Sequence, residues 1–148
     1  MQDLPHHYQA SATAFTRSNV EVTSRGLEAL ETAGPAEFGG PGDLWSPETM
    51  LVGAVANCFI LSFRAIARAA RLDWASLTVD VEGVLDRVEK VTRFTRFVIS
   101  AQLEVERGVD EEKARKLLAK AKKHCLISNS MLAECELSSS VEFVVNAD

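Results

Sequence analysis

Two of the chain's three cysteines stand in contexts that could give them chemistry. Cys58 lies within the apolar run 50–63, and Cys125 follows the basic stretch 120–124. A thiol behaves as a small hydrophobic group until its surroundings favour the thiolate, which is a nucleophile, a redox centre or a metal ligand. The state that each cysteine adopts therefore decides what the chain can do.

Taken alone, the neighbours of Cys58 favour an inert core cysteine. The residue sits at mid-helix, far from the helix N-terminus, and apolar surroundings raise the pKa of a thiol. A reactive Cys58 needs a nearby cation, best supplied by an arginine, because a guanidinium does not lose its charge. Cys125 has lysines and a histidine beside it and serines after it, so we expect it to be more accessible. The residues around Cys135 do not indicate a chemical role for its thiol.

The spacing of the cysteines and histidines does not predict a metal site. No C-x-x-C or H-x-x-x-H occurs among the six possible ligands, which are Cys58, Cys125, Cys135, His6, His7 and His124. The sequence also lacks the G-x-S-x-G signature of serine hydrolases. The glycine-rich segment 39–42 lacks the lysine and hydroxyl of a phosphate loop. Thiol chemistry without a metal or a bound organic cofactor is the strongest of these hypotheses.

Length and charge narrow the class of protein. A chain of 148 residues suits a single domain over 1–148. The formal charge of -5 argues against a nucleic-acid partner, since phosphate binding needs a positive surface. The start of the chain lacks signal-peptide features, and the apolar run is shorter than the roughly 20 residues that span a bilayer. We expect a cytoplasmic protein with no membrane partner.

The elements that must position the thiols follow from periodicity and from cap and turn residues. Segments 8–15 and 19–24 alternate like a hairpin, and the glycine- and proline-rich stretch 33–46 predicts a loop. Ser46, Pro47 and Glu48 open a helix that runs to about Leu72. Two long strands, a second helix capped by Asp110 and a final strand follow, which makes an α+β fold. We expect these four elements at 76–88, 91–106, 110–123 and 137–145.

The first of the two long strands alternates between a polar and an apolar face, which predicts one exposed and one buried side. The residues of the expected exposed face are Thr78, Asp80, Glu82 and Val84, and those of the expected buried face are Val79, Val81, Gly83 and Leu85.

The first of these helices is apolar nearly all the way round between Met50 and Phe63. Such a helix must be buried on every side, and one sheet of a chain this short cannot surround it. The pattern therefore predicts a homodimer packed through this helix.

Several motifs together resemble the OsmC/Ohr family of organic hydroperoxide reductases. The resemblance covers nearly the whole chain in the same element order. Its most specific parts are the Pro-Glu before the helix, a cysteine ten residues after that glutamate, and a later Cys-x-x-Ser-Asn. The residues that carry it are Gly39-Gly40, Ser46-Pro47-Glu48, Ala56-Asn57-Cys58-Phe59 and His124-Cys125-Leu126-Ile127-Ser128-Asn129.

The resemblance implies a cysteine peroxidase that forms an intertwined homodimer, with antiparallel sheets around a long buried central helix. Cys58 matches the peroxidatic cysteine, Cys125 the resolving cysteine, and Glu48 the acid that orients an activating arginine. That arginine comes from the first hairpin, where Arg17 matches best and Arg25 is the alternative. The implied partners are an organic hydroperoxide and an external dithiol reductant, of which a lipoyl-type dithiol is one.

Two further expectations concern the site and its variants. Glu48 and Cys58 are separated by about 15 Å along a straight helix, so either the helix breaks or Glu48 serves the other subunit; we favour the second. Leu126 stands where family members often have proline, and the segment 43–45 is less glycine-rich than in typical Ohr proteins, which leaves the subtype open. The alternative function is a non-catalytic OsmC-like protein that binds an apolar ligand at the dimer interface.

Overall fold

The computed structural model describes residues 2–144. Its chain divides into a first compact unit that ends at Met50 and a second that begins at Leu51. The single domain expected over 1–148 stays a prediction. Helices and strands both occur in the second unit, which gives the α+β class expected from the sequence.

The first unit contains a small antiparallel sheet of three short strands in sequence order. The strands are β1 (Ser11–Thr13), β2 (Val20–Thr23) and β3 (Leu30–Thr32). The first two form the predicted hairpin in a shorter form, while the sequence pattern missed β3, which is only three residues long. A 3-10 helix, Ala36–Phe38, lies in the predicted loop.

Helix α1 (Pro47–Ala70) begins at the predicted residue. Its first turn is closed by two reciprocal hydrogen bonds. The backbone N–H of Thr49 donates to Ser46 Oγ at 3.1 Å, and the backbone N–H of Ser46 donates to Thr49 Oγ1 at 2.8 Å. These bonds satisfy donors that a helix start leaves free, which explains why the Ser46 signal located the helix correctly.

The second unit is built on a sheet of the order β4-β5-β6. Strands β4 (Ser76–Val88) and β5 (Val91–Val105) form an antiparallel hairpin whose two turn residues, Glu89 and Lys90, both have positive φ. Strand β6 (Glu134–Phe143) runs parallel to β5, because the intervening helix α2 (Glu111–His124) and one-turn helix α3 (Leu126–Asn129) form a crossover connection. The sheet is therefore mixed. Val145, predicted as the end of this strand, lies outside the described residues.

One face of this sheet carries the hydrophobic core. Alternate residues of β5, from Phe97 to Val105, are buried against one stripe of α1 and one stripe of α2. The α1 stripe recurs every four residues and consists of Val55, Phe59, Phe63 and Ala67. The other sides of α1 are only partly covered within this chain. The burial of α1 on all sides, and the dimer inferred from it, thus stay predictions.

Helix α1 is long and apolar enough to cross a membrane when judged by length and composition alone. The core helix of a soluble protein has the same properties. The buried stripe of α1 belongs to one hydrophobic cluster with the sheet and α2, and this packing favours the core-helix interpretation.

Strand β4 confirms the predicted alternation over most of its length. Thr78, Asp80 and Glu82 are exposed, and the residues between them are partly buried. A register shift between Val84 and Leu85 interrupts the pattern. The extra residue at this shift is Thr95 of β5, which has no partner in the register with β4. Leu85, predicted to face the core, is exposed and lies outside the hydrophobic cluster.

Gly83 of β4 allows the close packing of its neighbours. A Cβ atom there would lie 2.8 Å from both Phe94 Cε1 and Val52 Cγ2, and 3.0 Å from Phe97 Cε1. We expect Gly83→Ala to lower the free energy of unfolding by about 1–3 kcal/mol, because these packed side chains must shift. Urea unfolding measures the change. Gly34→Ala is the control, since nothing lies within 4 Å of a Cβ there; equal stability of both variants would contradict the prediction.

Candidate active site

The two thiols singled out by the sequence lie next to each other in the second unit. Cys58 is in the middle of α1, and Cys125 lies between α2 and α3, where it caps both helices. The two side chains are within hydrogen-bonding reach of each other. All three cysteines are free thiols in this structure. The fold thus brings together two redox-capable groups from distant parts of the chain.

The surroundings of Cys58 favour its thiolate. Burial has the largest single effect on the Cys58 pKa and raises it, but hydrogen bonds from the backbone N–H of Ile127, the Cys125 thiol, the Ser62 hydroxyl and the backbone N–H of Leu126 outweigh burial. Ser62 Oγ lies 4.0 Å from Cys58 Sγ. The net result is a pKa below the ordinary thiol value, because each of these donors stabilises the anion.

The surroundings of Cys125 have the opposite effect. Burial raises the pKa of Cys125, and the neighbouring Cys58 raises it further, while hydrogen bonds from the hydroxyl and the backbone N–H of Ser128 offset only part of the rise. The Ser128 hydroxyl donates to Cys125 Sγ at 3.2 Å. Cys125 has no exposed surface. The pair therefore combines a thiol whose pKa is lowered with a thiol whose pKa is raised.

This arrangement corrects the expected exposure of both thiols. Cys125, expected to be accessible, is fully buried, and Cys58, expected to be buried in an apolar environment, is only partly buried and has polar neighbours. The basic stretch before Cys125 belongs to α2, whose lysines are largely on the solvent side. At the end of α2 the chain turns toward the core. Cys125 is therefore buried, although the lysines that precede it face the solvent.

Two of the donors to Cys58, the backbone N–H groups of Leu126 and Ile127, belong to α3, a helix that the sequence pattern did not reveal. A helix of four residues is too short to show a hydrophobic period. Its only local signal is the serine and asparagine pattern after Cys125. Without tertiary contacts, nothing in those residues indicates that their backbone amides face a cysteine of another helix.

Glu48 lies in the first turn of α1. Its Oε2 atom is buried and has no hydrogen-bond partner among the described residues. Helix α1 continues unbroken from Pro47 through Cys58 to Ala70, so the alternative of a break between Glu48 and Cys58 is wrong. That Glu48 serves the site of the other subunit stays a prediction.

The two arginines considered for the site occupy turns of the first unit. Arg17 lies between β1 and β2, and Arg25 lies between β2 and β3. Both are exposed. Neither forms an ion pair with another residue in the part of the chain that the structure describes. Arg17 therefore stays the predicted activating residue, with Arg25 as the alternative.

Within residues 2–144, no three histidine, cysteine or carboxylate side chains are grouped in a way that could hold a metal ion. His124, next to Cys125 in the sequence, is exposed at the last turn of α2. The groups that the site does bring together are two thiols, and the thiol with the lowered pKa is the more readily ionised of the two.

The lowered pKa of Cys58 predicts its alkylation behaviour. In a Cys135→Ser background, the rate of Cys58 modification by iodoacetamide should reach half its maximum below the ordinary thiol pKa, since the thiolate persists to lower pH. Peptide mass mapping over a pH series measures this. Ser62→Ala should move the midpoint upward, because one of the donors that lower the pKa is removed. A Cys58 midpoint at or above that of an unfolded thiol would contradict the assignment.

Comparison with known proteins places this chain in a family. Residues 40–140 match the family model described as OsmC-like protein. The matched segment includes Glu48, Cys58 and Cys125. An uncharacterized protein of Bacillus subtilis, YmaD, is 26% identical over 136 residues, which cover 89% of this chain and 91% of YmaD.

Solved structures share the fold over almost the whole chain. An OsmC-like protein of unknown function from Vibrio cholerae superposes with a TM-score of 0.83 at 19% identity, covering 92% of this chain and 100% of that one. An organic hydroperoxide resistance protein OsmC from Legionella pneumophila has a TM-score of 0.75 at 25% identity, covering 95% and 99%. By its family match and its fold, the chain belongs to the OsmC-like protein family.

Proposed function

We propose that the protein is a thiol-dependent peroxidase that reduces organic hydroperoxides to alcohols. One observation carries the proposal: a half-buried Cys58 with a lowered pKa lies next to a buried Cys125 with a raised one. A thiolate is the form that attacks peroxides, and a second thiol at this range can resolve the oxidised product. The Legionella pneumophila relative, named an organic hydroperoxide resistance protein, supports the same choice of substrate.

The proposed cycle has three steps. The Cys58 thiolate attacks one oxygen of the O–O bond, the bond breaks, and the alkoxide leaves and takes up a proton to become the alcohol. Cys58 then carries a sulfenic acid, which condenses with Cys125 to a disulfide as water leaves. An external dithiol reduces this disulfide and is itself oxidised to a disulfide. We place the cycle in the cytoplasm, where such dithiols are kept reduced.

The charge that moves onto the departing oxygen needs a cation. We assign this role to Arg17, with Arg25 as the alternative, because a guanidinium stays charged and can stabilise both the thiolate and the leaving alkoxide. The buried Oε2 of Glu48, which has no partner among the described residues, supports a guanidinium partner. A buried carboxylate without a donor is costly, and an arginine supplies two parallel hydrogen bonds.

The proposed assembly is a homodimer packed through α1. Within one chain, Leu61 of α1 is 53% exposed, and Leu126 beside the thiol pair is 73% exposed. Exposed leucines at these positions would be covered by a second copy, as the apolar sequence of α1 indicates. A dimer would also explain how Glu48 contributes to a site that its own helix keeps it from reaching.

The alternative function is binding of an apolar ligand without turnover. The exposed Leu61 and Leu126 favour it as well, since apolar side chains beside a half-buried thiol could hold such a ligand. The two functions differ in whether peroxide is consumed.

A peroxidase assay tests the proposed function. Cumene hydroperoxide and hydrogen peroxide are compared with dihydrolipoamide as the dithiol, and we expect the organic hydroperoxide to be reduced faster. Arg17→Ala should lose about a hundredfold in rate, as when one charge-stabilising donor is removed from an active site, while Arg25→Ala should retain its rate. The reverse result would assign the role to Arg25, and no consumption of either peroxide by the wild type would reject the peroxidase.

Cys125→Ser should confine the enzyme to one turnover. Without the resolving thiol, the sulfenic acid on Cys58 cannot form the disulfide. Rapid-quench measurements should show a burst of about one alcohol per site, after which dimedone labels Cys58. Cys135→Ser is the matched control and should turn over many times. Sustained turnover of Cys125→Ser at the wild-type rate would show that Cys125 does not resolve the intermediate.

A further inference from the structure

We propose that the external dithiol attacks the Cys58–Cys125 disulfide at Cys58, so that Cys125 is the leaving sulfur, and that Ser128 is a positioning residue for this step. The inference rests on the proposed function, which supplies the disulfide. It defines the order of bond exchange in the reductive half of the cycle and gives Ser128 a role there.

Burial decides which sulfur can be attacked. Thiol–disulfide exchange needs access of the nucleophile to the attacked sulfur, along a line opposite to the sulfur that leaves. Cys125 has no exposed surface, so a nucleophile would have to enter through the core of its own chain. A second subunit could only cover it further. Cys58 is partly exposed, and the proposed function already requires that a peroxide reach it.

Ser128 stabilises the sulfur that leaves. The hydroxyl of Ser128 donates to Cys125 Sγ at 3.2 Å, and Ser128 is itself only 8% exposed. A thiolate that forms at a buried position loses its hydration, and a fixed donor replaces part of it. The backbone N–H of Ser128 also donates a hydrogen bond to Cys125, which opposes the rise of the Cys125 pKa. These donors belong to one residue that the helix α3 holds in place.

The exchange balances as follows. One thiolate of the dithiol forms a bond to Cys58 Sγ, the Cys58–Cys125 bond breaks, and Cys125 takes the electron pair. The second thiol of the reductant then attacks its own sulfur in the mixed disulfide and releases Cys58 as a thiolate. The dithiol loses two electrons and two protons and becomes a disulfide, while the protein gains them as two thiols.

Trapping the mixed disulfide tests the site of attack. The Cys135→Ser protein is oxidised to the Cys58–Cys125 disulfide, mixed with glutathione, quenched with acid at early times and treated with an alkylating reagent active at low pH. We expect peptide mass mapping to find glutathione on Cys58 and the alkyl group on Cys125. Glutathione on Cys125, or an equal distribution over both cysteines, would overturn the inference.

Substitution of Ser128 tests the positioning role. Ser128→Ala should slow reduction of the disulfide by dihydrolipoamide roughly tenfold, since a hydrogen bond to a developing anion is lost. It should also raise the pKa of Cys125 in a Cys58→Ser, Cys135→Ser background, followed by thiolate absorbance. Ser128→Thr, which keeps the hydroxyl, should restore both values. Ser130→Ala, which removes a hydroxyl that donates to the backbone carbonyl of Leu126, should change neither. Wild-type values of both quantities in Ser128→Ala would reject the positioning role.

The oxidant separates this inference from the proposed function. Diamide can form the disulfide without any peroxidase activity, so the trapping experiment can succeed in a protein that does not reduce peroxides. In that case the function fails and the order of exchange stands. Peroxide turnover with glutathione trapped on Cys125 would leave the function standing and reject the order of exchange. If neither diamide nor peroxide forms the disulfide, the inference is wrong.

Discussion

Cys58→Ser should abolish the consumption of alkyl hydroperoxide. The hydroxyl of serine is not a thiolate at neutral pH and cannot be oxidised to a sulfenic acid, so no group in the site can take the oxygen. We expect the rate constant of peroxide reduction to fall at least about a thousandfold, to the level without protein. Stopped-flow or coupled measurement of cumene hydroperoxide loss gives the value.

A thiol of the same chain serves as the control for this loss. Cys135 is also partly buried, in β6, and its Sγ lies 3.9 Å from the backbone carbonyl of Ala133. Cys135→Ser should retain the wild-type rate. Both variants should keep the wild-type circular dichroism, since each replaces sulfur by oxygen at a partly buried position. Full activity of folded Cys58→Ser would reject the peroxidase assignment and leave the ligand-binding alternative.

Local signals made much of the fold predictable from sequence. Ser46 located the start of α1 because its hydroxyl caps the backbone N–H of Thr49, and Asp110 located α2 because its carboxylate accepts from the backbone N–H of Lys113. The alternation in β4 identified its exposed face up to the register shift after Val84. Each of these signals acts over a few residues, which is why they could be read without tertiary contacts.

Other features depend on contacts between distant segments. The parallel pairing of β6 follows from a crossover, and the pairing of β4 with β5 contains a register shift at which Thr95 of β5 is skipped. Neither leaves a pattern in the strand's own residues. The extent of α1 burial is of the same kind, because one chain covers only one stripe of that helix.

The candidate site shows the same division. Cys58, Cys125 and Glu48 could be named from the spacing of family motifs, and the OsmC-like family match confirms the resemblance. The environments of these residues in the folded chain could not be predicted from the sequence. The residues around Cys58 in sequence are apolar and predict a raised pKa, but its hydrogen-bond donors include Ile127, Leu126 and Cys125, which are distant in sequence and help to lower the pKa. The basic residues before Cys125 predicted an exposed thiol, but the turn between α2 and α3 buries it.

Mixed dimers test whether the proposed site uses residues of both subunits. Because α1 is unbroken, Glu48 and Cys58 of one chain are about 15 Å apart along its axis. Glu48→Gln should reduce the peroxidase rate of the homodimer about tenfold or more, since the neutral amide cannot form the paired charged hydrogen bonds. Cys58→Ser should be inactive, as argued above. We expect the heterodimer of these two chains, purified through two different tags, to regain about half of the wild-type activity.

The recovery follows from how the substitutions are distributed between the two sites. If Glu48 serves the Cys58 of the other subunit, one site of the heterodimer carries both changes and the other carries neither. If both groups came from one chain, every site would carry one change and the rate would stay at or below that of the Glu48→Gln homodimer. The matched control is the heterodimer of Cys58→Ser with Cys125→Ser. Because these two thiols lie next to each other within one chain, each site of this heterodimer carries one substitution. Sustained turnover should therefore stay absent. Activity at the level of the Glu48→Gln parent, or no heterodimer at all, would reject the shared site.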